Sequence, residues 1–123
     1  MQRDLLSRHP SANLRVYALW FNMYPGDARA KWPATLLTDA RVLHFWDEPR
    51  IAGTRYMAQL PAMLARRAPE TRPPDGNVLW DAFFVYPPGD TWRDPVPVPA
   101  GWGYPIMVTS DTLRRQLDAL VPK

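Results

Sequence analysis

The stretch Arg41-Val-Leu-His-Phe-Trp-Asp-Glu-Pro-Arg-Ile-Ala-Gly53 constrains the chain more than any other, because it runs a strand directly into a helix. Val42, Leu43, Phe45 and Trp46 are strand formers suited to a buried position. Asp47 then offers a carboxylate to the free N–H groups of a helix whose first turn tolerates Pro49. A strand that turns into a helix over so few residues is the unit from which layered α/β domains are built.

The remaining bounds come from size and composition. A chain of 123 residues with 46% hydrophobic and 22% charged residues fits one domain, 1–123, with enough apolar material for a packed core. No apolar run reaches the length needed to cross a bilayer, and Met1-Gln-Arg-Asp-Leu-Leu lacks the order of a signal peptide, so a soluble, cytoplasmic protein without membrane contact is expected. The absence of cysteine excludes disulfides, thiolate metal sites and a dithiol redox cycle carried by these residues. The net charge of +3 does not point to nucleic acid, because the bases are scattered and Arg66-Arg67 and Arg114-Arg115 are the only adjacent pairs.

In chain order, Asp4 to His9 predicts a short helix stopped by Pro10, and Asn13 to Phe21 predicts a strand covered on both faces. After the turn Asn22 to Gly26, Asp27 is placed to cap a helix carrying Ala28, Trp32, Leu36 and Leu37 inward, kinked by Pro33. The strand Ala40 to Trp46 follows. From Glu48 a helix presents Ala52, Tyr56, Leu60 and Met63 at spacings of three and four, with Pro61 kinking it or starting a second segment toward Arg67. Ala68 to Asn77 reads as an exposed connector, Val78 to Tyr86 as a third strand, and Trp92 to Gly103 as an extended surface loop rich in proline. Ile106 to Val108 reads as a last short strand, and Ser110 as the cap of a helix bearing Leu113, Leu117, Leu120 and Val121 on one stripe. Alternating elements with a late strand pair predict an α/β layered domain with a mixed β-sheet flanked by helices.

With Asp39-Ala-Arg-Val-Leu-His-Phe-Trp-Asp47 as its centre, the chain from Leu14 to Val121 resembles the thioredoxin-like domains, in particular a bacterial group carrying such a strand. Supporting matches are Tyr24-Pro25 with Asp27, Gly53, Trp80-Asp81, Tyr86-Pro-Pro-Gly89 and Trp92. The resemblance implies a sheet whose first strand and Cys-x-x-Cys pair have no counterpart here, so the expectation is an N-terminally truncated thioredoxin-like domain. It also lacks the family's cis-proline before the strand facing the thiols, since Asp75-Gly76-Asn77 precedes Val78. The family's missing strand would lie between Leu14–Phe21 and Val78–Tyr86, leaving unpaired edges to be closed by direct pairing, by a second copy or by an upstream segment.

His44 and Asp47 are the polar candidates for a site. His44 has no nearby Ser or Cys to activate and is read as a hydrogen-bonded structural histidine; Asp47 is accounted for as a helix cap. His9 and His44 carry no metal-ligand spacing, and no phosphate loop or nucleophile elbow occurs, so no cofactor, metal or catalytic residue is assigned. Trp20, Trp46 and Trp80 are assigned to the core. Trp92, Trp102 and Tyr104, in the segment Pro87 to Pro105, form the candidate recognition surface, because prolines restrict the free chain and present aromatics at reduced ordering cost. The expected function is that of a non-catalytic binding or protein-interaction domain, self-associating as a dimer and open to a protein partner. The alternative is the C-terminal portion of a thiol-disulfide oxidoreductase whose thiols lie upstream.

Overall fold

The computed structural model describes residues 5–23, 26, 37–93 and 95–121. The expected helix from Asp27 through Trp32 and Leu36, its kink at Pro33 and the Tyr24-Pro25 pair lie outside the described residues. The chain comprises two compact units, Met1–Ala52 with Val121–Lys123, and Gly53–Leu120. The described residues form a mixed α/β structure with two small sheets and three α-helices.

In the first unit, β1 (Val16–Trp20) runs parallel to β2 (Val42–Trp46) with Val16 beside Val42, Ala18 beside His44 and Trp20 beside Trp46. Burial alternates along both strands, so β1 is not covered on both faces as its continuous apolar run predicts. The reason is visible in the pleat. Successive side chains point to opposite faces, and the set Val16, Ala18, Trp20, Val42, His44 and Trp46 is buried or half-buried while Tyr17, Leu19, Leu43 and Phe45 remain exposed. Trp20 and Trp46 are accordingly half-buried rather than core residues, and Trp80, also expected in the core, is half-buried as well.

The expected helix before Pro10 is one short 3-10 turn, Leu6–Arg8, with Leu5 and Leu6 buried. It is tied down by Arg41. The guanidinium donates from Nη1 to the His9 carbonyl at 2.6 Å and from Nη2 to the Leu6 carbonyl at 2.8 Å, while Nε and Nη2 hold the two oxygens of Asp39 at 2.9 and 2.7 Å. A planar fork of donors can serve a carboxylate and two backbone carbonyls at once, which an ammonium cannot do with the same geometry.

The chain enters the second unit within α1 (Ile51–Ala58), followed by α2 (Leu60–Met63) and a 3-10 turn, Leu64–Arg66. Pro61 lies at the start of α2, where its missing N–H is harmless, so the expected break at this proline is observed. Tyr56, Met63, Leu79, Val96 and Trp102 form the core of this unit.

The rest of the second unit departs from the pattern of its sequence. The strand expected over Val78–Tyr86 shortens to β3 (Phe83–Val85), because Asp81 takes a left-handed backbone conformation, φ 53°, that an extended ladder cannot contain. Its partner is β4 (Gly101–Gly103), antiparallel and inside the segment expected to be a surface loop. The other edge of β4 meets the connector, where Ala68 N–H donates to the Trp102 carbonyl at 2.7 Å and Arg72 N–H to the Tyr104 carbonyl at 3.0 Å. Ile106 to Val108, expected as a strand, opens α3 (Ile106–Leu120), and Ser110 lies inside that helix rather than capping it. Pro105 provides the start: its carbonyl accepts the Thr109 N–H at 3.1 Å and the Thr109 hydroxyl at 2.8 Å. In place of one mixed sheet, the described residues form a parallel pair in one unit and an antiparallel pair in the other.

Candidate functional site

His44 sits on the covered face of β2. The Trp20 indole N–H donates to its Nδ1 at 3.0 Å, and because an indole nitrogen can only donate, Nδ1 must be the unprotonated nitrogen. The proton therefore resides on Nε2, which donates to the Leu37 carbonyl at 3.0 Å. The Trp20 and His44 rings also stack, with centroids 6.1 Å apart. Both ring nitrogens are occupied by structural bonds, as the sequence predicts for this residue.

Asp47 follows β2 directly. Its backbone N–H donates to the Trp20 carbonyl at 2.7 Å, continuing the ladder, and its carboxylate accepts from Ile51 N–H at 3.0 Å and Ala52 N–H at 2.8 Å. These are the first two amides of α1, so the expected capping role is observed, from a residue placed one tight turn ahead of the helix. The turn itself is closed by Arg50 N–H donating to the Asp47 carbonyl at 3.1 Å, with Arg50 at φ 58°.

The three aromatics expected to share a recognition surface do not. Trp102 is 0% exposed and its indole donates to the Met63 carbonyl at 2.7 Å, so it is a core residue. The local proline content concealed this: Gly101 and Gly103, on either side, let β4 pack closely enough for the indole to reach the interior. A Cβ on Gly103 would stand 2.5 Å from Phe83 and 2.6 Å from Thr109. Tyr104 is half-buried, with its backbone N–H on the Thr71 hydroxyl at 3.4 Å. Trp92 alone of the three is exposed, 52%, and its ring meets Tyr56 edge-on at 5.6 Å.

Around Tyr56 the second unit builds a polar thread through an apolar stack. Tyr56 lies flat on Phe84 with centroids 3.8 Å apart, and its hydroxyl is 2.7 Å from that of Tyr86, which donates onward to the Pro97 carbonyl at 2.9 Å. Tyr56 is therefore the donor to Tyr86. Burial, reinforced by this hydrogen bond, pushes the Tyr56 phenol well above the ordinary tyrosine range, and burial raises Tyr86 as well. The arrangement clamps the proline-rich segment rather than presenting a reactive group.

The feature that sequence reading missed lies on the open face of the parallel pair. Tyr17, Leu19, Leu43 and Phe45 are 55%, 42%, 40% and 49% exposed, and the register sets Tyr17 beside Leu43 and Leu19 beside Phe45. The Tyr17 and Phe45 rings stack diagonally across the strands at 6.2 Å. A contiguous apolar plate of this kind is the surface feature that marks an interaction site, unlike scattered single exposures. The signal that could have revealed it is the period-2 interruption by Ala18 and His44, a small and a polar residue on the opposite face.

Among the described residues no group of three or more His, Asp or Glu is arranged to hold a metal ion, and no helix is long and apolar enough to cross a membrane. Comparison with known proteins finds no matching family model, no matching curated protein and no matching solved structure.

Proposed function

We propose that this chain is a non-catalytic protein-interaction domain whose recognition surface is the plate formed by Tyr17, Leu19, Leu43 and Phe45. The observation that carries the proposal is the exposure of four large apolar side chains on one face of a parallel strand pair. Parallel sheets are ordinarily covered on both faces, and an uncovered one loses the burial that stabilises it. The polar candidates argue in the same direction, since His44 holds Trp20 to Leu37 and Asp47 holds the start of α1. Within this reading the chain is a thioredoxin-like domain without thiols. The succession of a parallel pair, α1 and α2, an antiparallel pair and α3 supports that resemblance.

The test is to place charge on the plate. In Leu19→Lys/Phe45→Lys the stability in denaturant melts is expected to stay within about 0.5 kcal/mol of the parent for each site, as for open surface positions. Loss of the folded state would show that the face belongs to the core and would overturn the proposal. In parallel, insulin reduction by dithiothreitol is expected to match the protein-free control, because exchange requires a thiolate and the chain has no cysteine.

A further inference from the structure

We infer that the occupant of the Tyr17/Leu19/Leu43/Phe45 plate is the same plate of a second copy, giving a weak two-fold dimer by sheet-on-sheet packing. The inference rests on the interaction reading above and names its partner. Its first support is which face is already used. The Leu37 carbonyl bonds to His44 Nε2, so the chain approaching β2 returns to the sheet on the His44 side, and the Tyr17 side lies opposite.

The second support is the chemistry of the plate. A two-fold interface sets a surface patch against itself, so any charge in its centre meets its own like charge. Tyr17, Leu19, Leu43 and Phe45 contain no group charged at neutral pH, and the plate is therefore self-complementary where a charged patch is self-repelling. It is also built on strands rather than around a cleft, which suits a second sheet better than a small molecule that must be enclosed.

The third support is area, which sets the strength. Four large side chains about half exposed offer roughly 350 Å² per copy, inside the range of functional patches. Two such plates bury roughly 700 Å², well below a standard interface and of the size of a weak, transient contact. The dimer is therefore expected to form only toward the upper end of the micromolar range and to dissociate on dilution.

The experiment is sedimentation equilibrium of the full chain across a concentration series from about 1 to 500 µM, with Leu19→Lys/Phe45→Lys alongside. The parent is expected to move from 14.1 kDa toward twice that mass as concentration rises. The double variant, folded by circular dichroism, is expected to stay at 14.1 kDa throughout, its dissociation constant raised at least about 100-fold by lysines set against each other. A parent that remains monomeric at every concentration overturns the dimer and leaves the interaction reading standing. A dimer that persists unchanged in the variant also overturns it, by showing pairing elsewhere, for example through strand edges. A variant that fails to fold overturns both readings, and Tyr17→Lys, also on the plate, serves as the second variant for that outcome.

Discussion

The Trp102 indole N–H donates to the backbone carbonyl of Met63 at 2.7 Å, and both side chains are completely buried. This bond joins β4 to the end of α2 inside the core of the second unit, and it explains why a tryptophan surrounded by prolines and glycines is not at the surface. Trp102→Phe is expected to destabilise by about 0.5–1.5 kcal/mol, because it removes this buried hydrogen bond, and Trp102→Ala by about 3–5 kcal/mol through the added cavity. Met63→Leu, which keeps the backbone acceptor, should cost less than about 1.5 kcal/mol. Chemical denaturation of the three variants checks the order.

Asp47 accepts from two amides of α1, so Asp47→Ala is expected to destabilise by about 0.5–2 kcal/mol, with Asp47→Asn and Asp47→Ser retaining most of the stability. Equal losses in all three, measured by urea melts, would assign the role to the charge rather than to the hydrogen bonds.

The hydrogen bonds from Arg41, with its charge, lower the Asp39 carboxyl from 3.8 to about 2. A carboxyl depressed in the folded state binds fewer protons there than when unfolded, so its contribution is complete above the unfolded value and is lost as pH falls through the folded one. Acid titration should show stability declining from just above pH 3.8 down to about 2, and Asp39→Asn should remove that part of the decline. Its contribution is also expected to fall in high salt, since the pair is partly exposed.

Tyr56 and Tyr86 titrate in the opposite direction. Their raised values mean that the folded state retains protons that the unfolded chain releases, so stability is expected to fall as pH rises beyond the ordinary tyrosine value of 10.0. Tyrosinate absorbance should show both phenols ionising above the ordinary tyrosine value, Tyr56 the more strongly displaced. Tyr86→Phe, which strands both the Tyr56 hydroxyl and the Pro97 carbonyl, should destabilise by about 1–3 kcal/mol, more than Tyr56→Phe at about 0.5–1.5 kcal/mol.

The two glycines of β4 should differ. A methyl on Gly103 meets the Phe83 ring and the Thr109 side chain, both in the interior, and Gly103→Ala is expected to cost about 1–3 kcal/mol. The atoms nearest to a methyl on Gly101 are the amide end of Gln116, the far end of a flexible side chain that can shift, so Gly101→Ala should cost less than Gly103→Ala. Thermal melts of the two variants test the contrast.

What the sequence determined by itself was local. The junction from β2 through Asp47 to α1 was legible because the acceptor, the amides and the strand formers lie within a few residues, and the break at Pro61 because proline lacks the donor that a helix interior requires. The structural role of His44 was legible in kind, though its partners Trp20 and Leu37 were not. Tertiary structure decided which apolar residues are buried and which short runs pair. Composition alone cannot tell Trp102 in the core from Trp92 at the surface, because the difference lies in whether the flanking backbone can approach Phe83 and Thr109. Ile106-Met-Val108 has strand-forming residues yet opens a helix, because the Pro105 carbonyl and the Asp81 carbonyl, to which Ile106 N–H donates at 2.9 Å, set its first turn. The continuous apolar run of β1 likewise carries no mark of which face is covered. That is settled by the pleat and by the side of the sheet on which Leu37 meets His44, and it leaves Tyr17, Leu19, Leu43 and Phe45 facing outward.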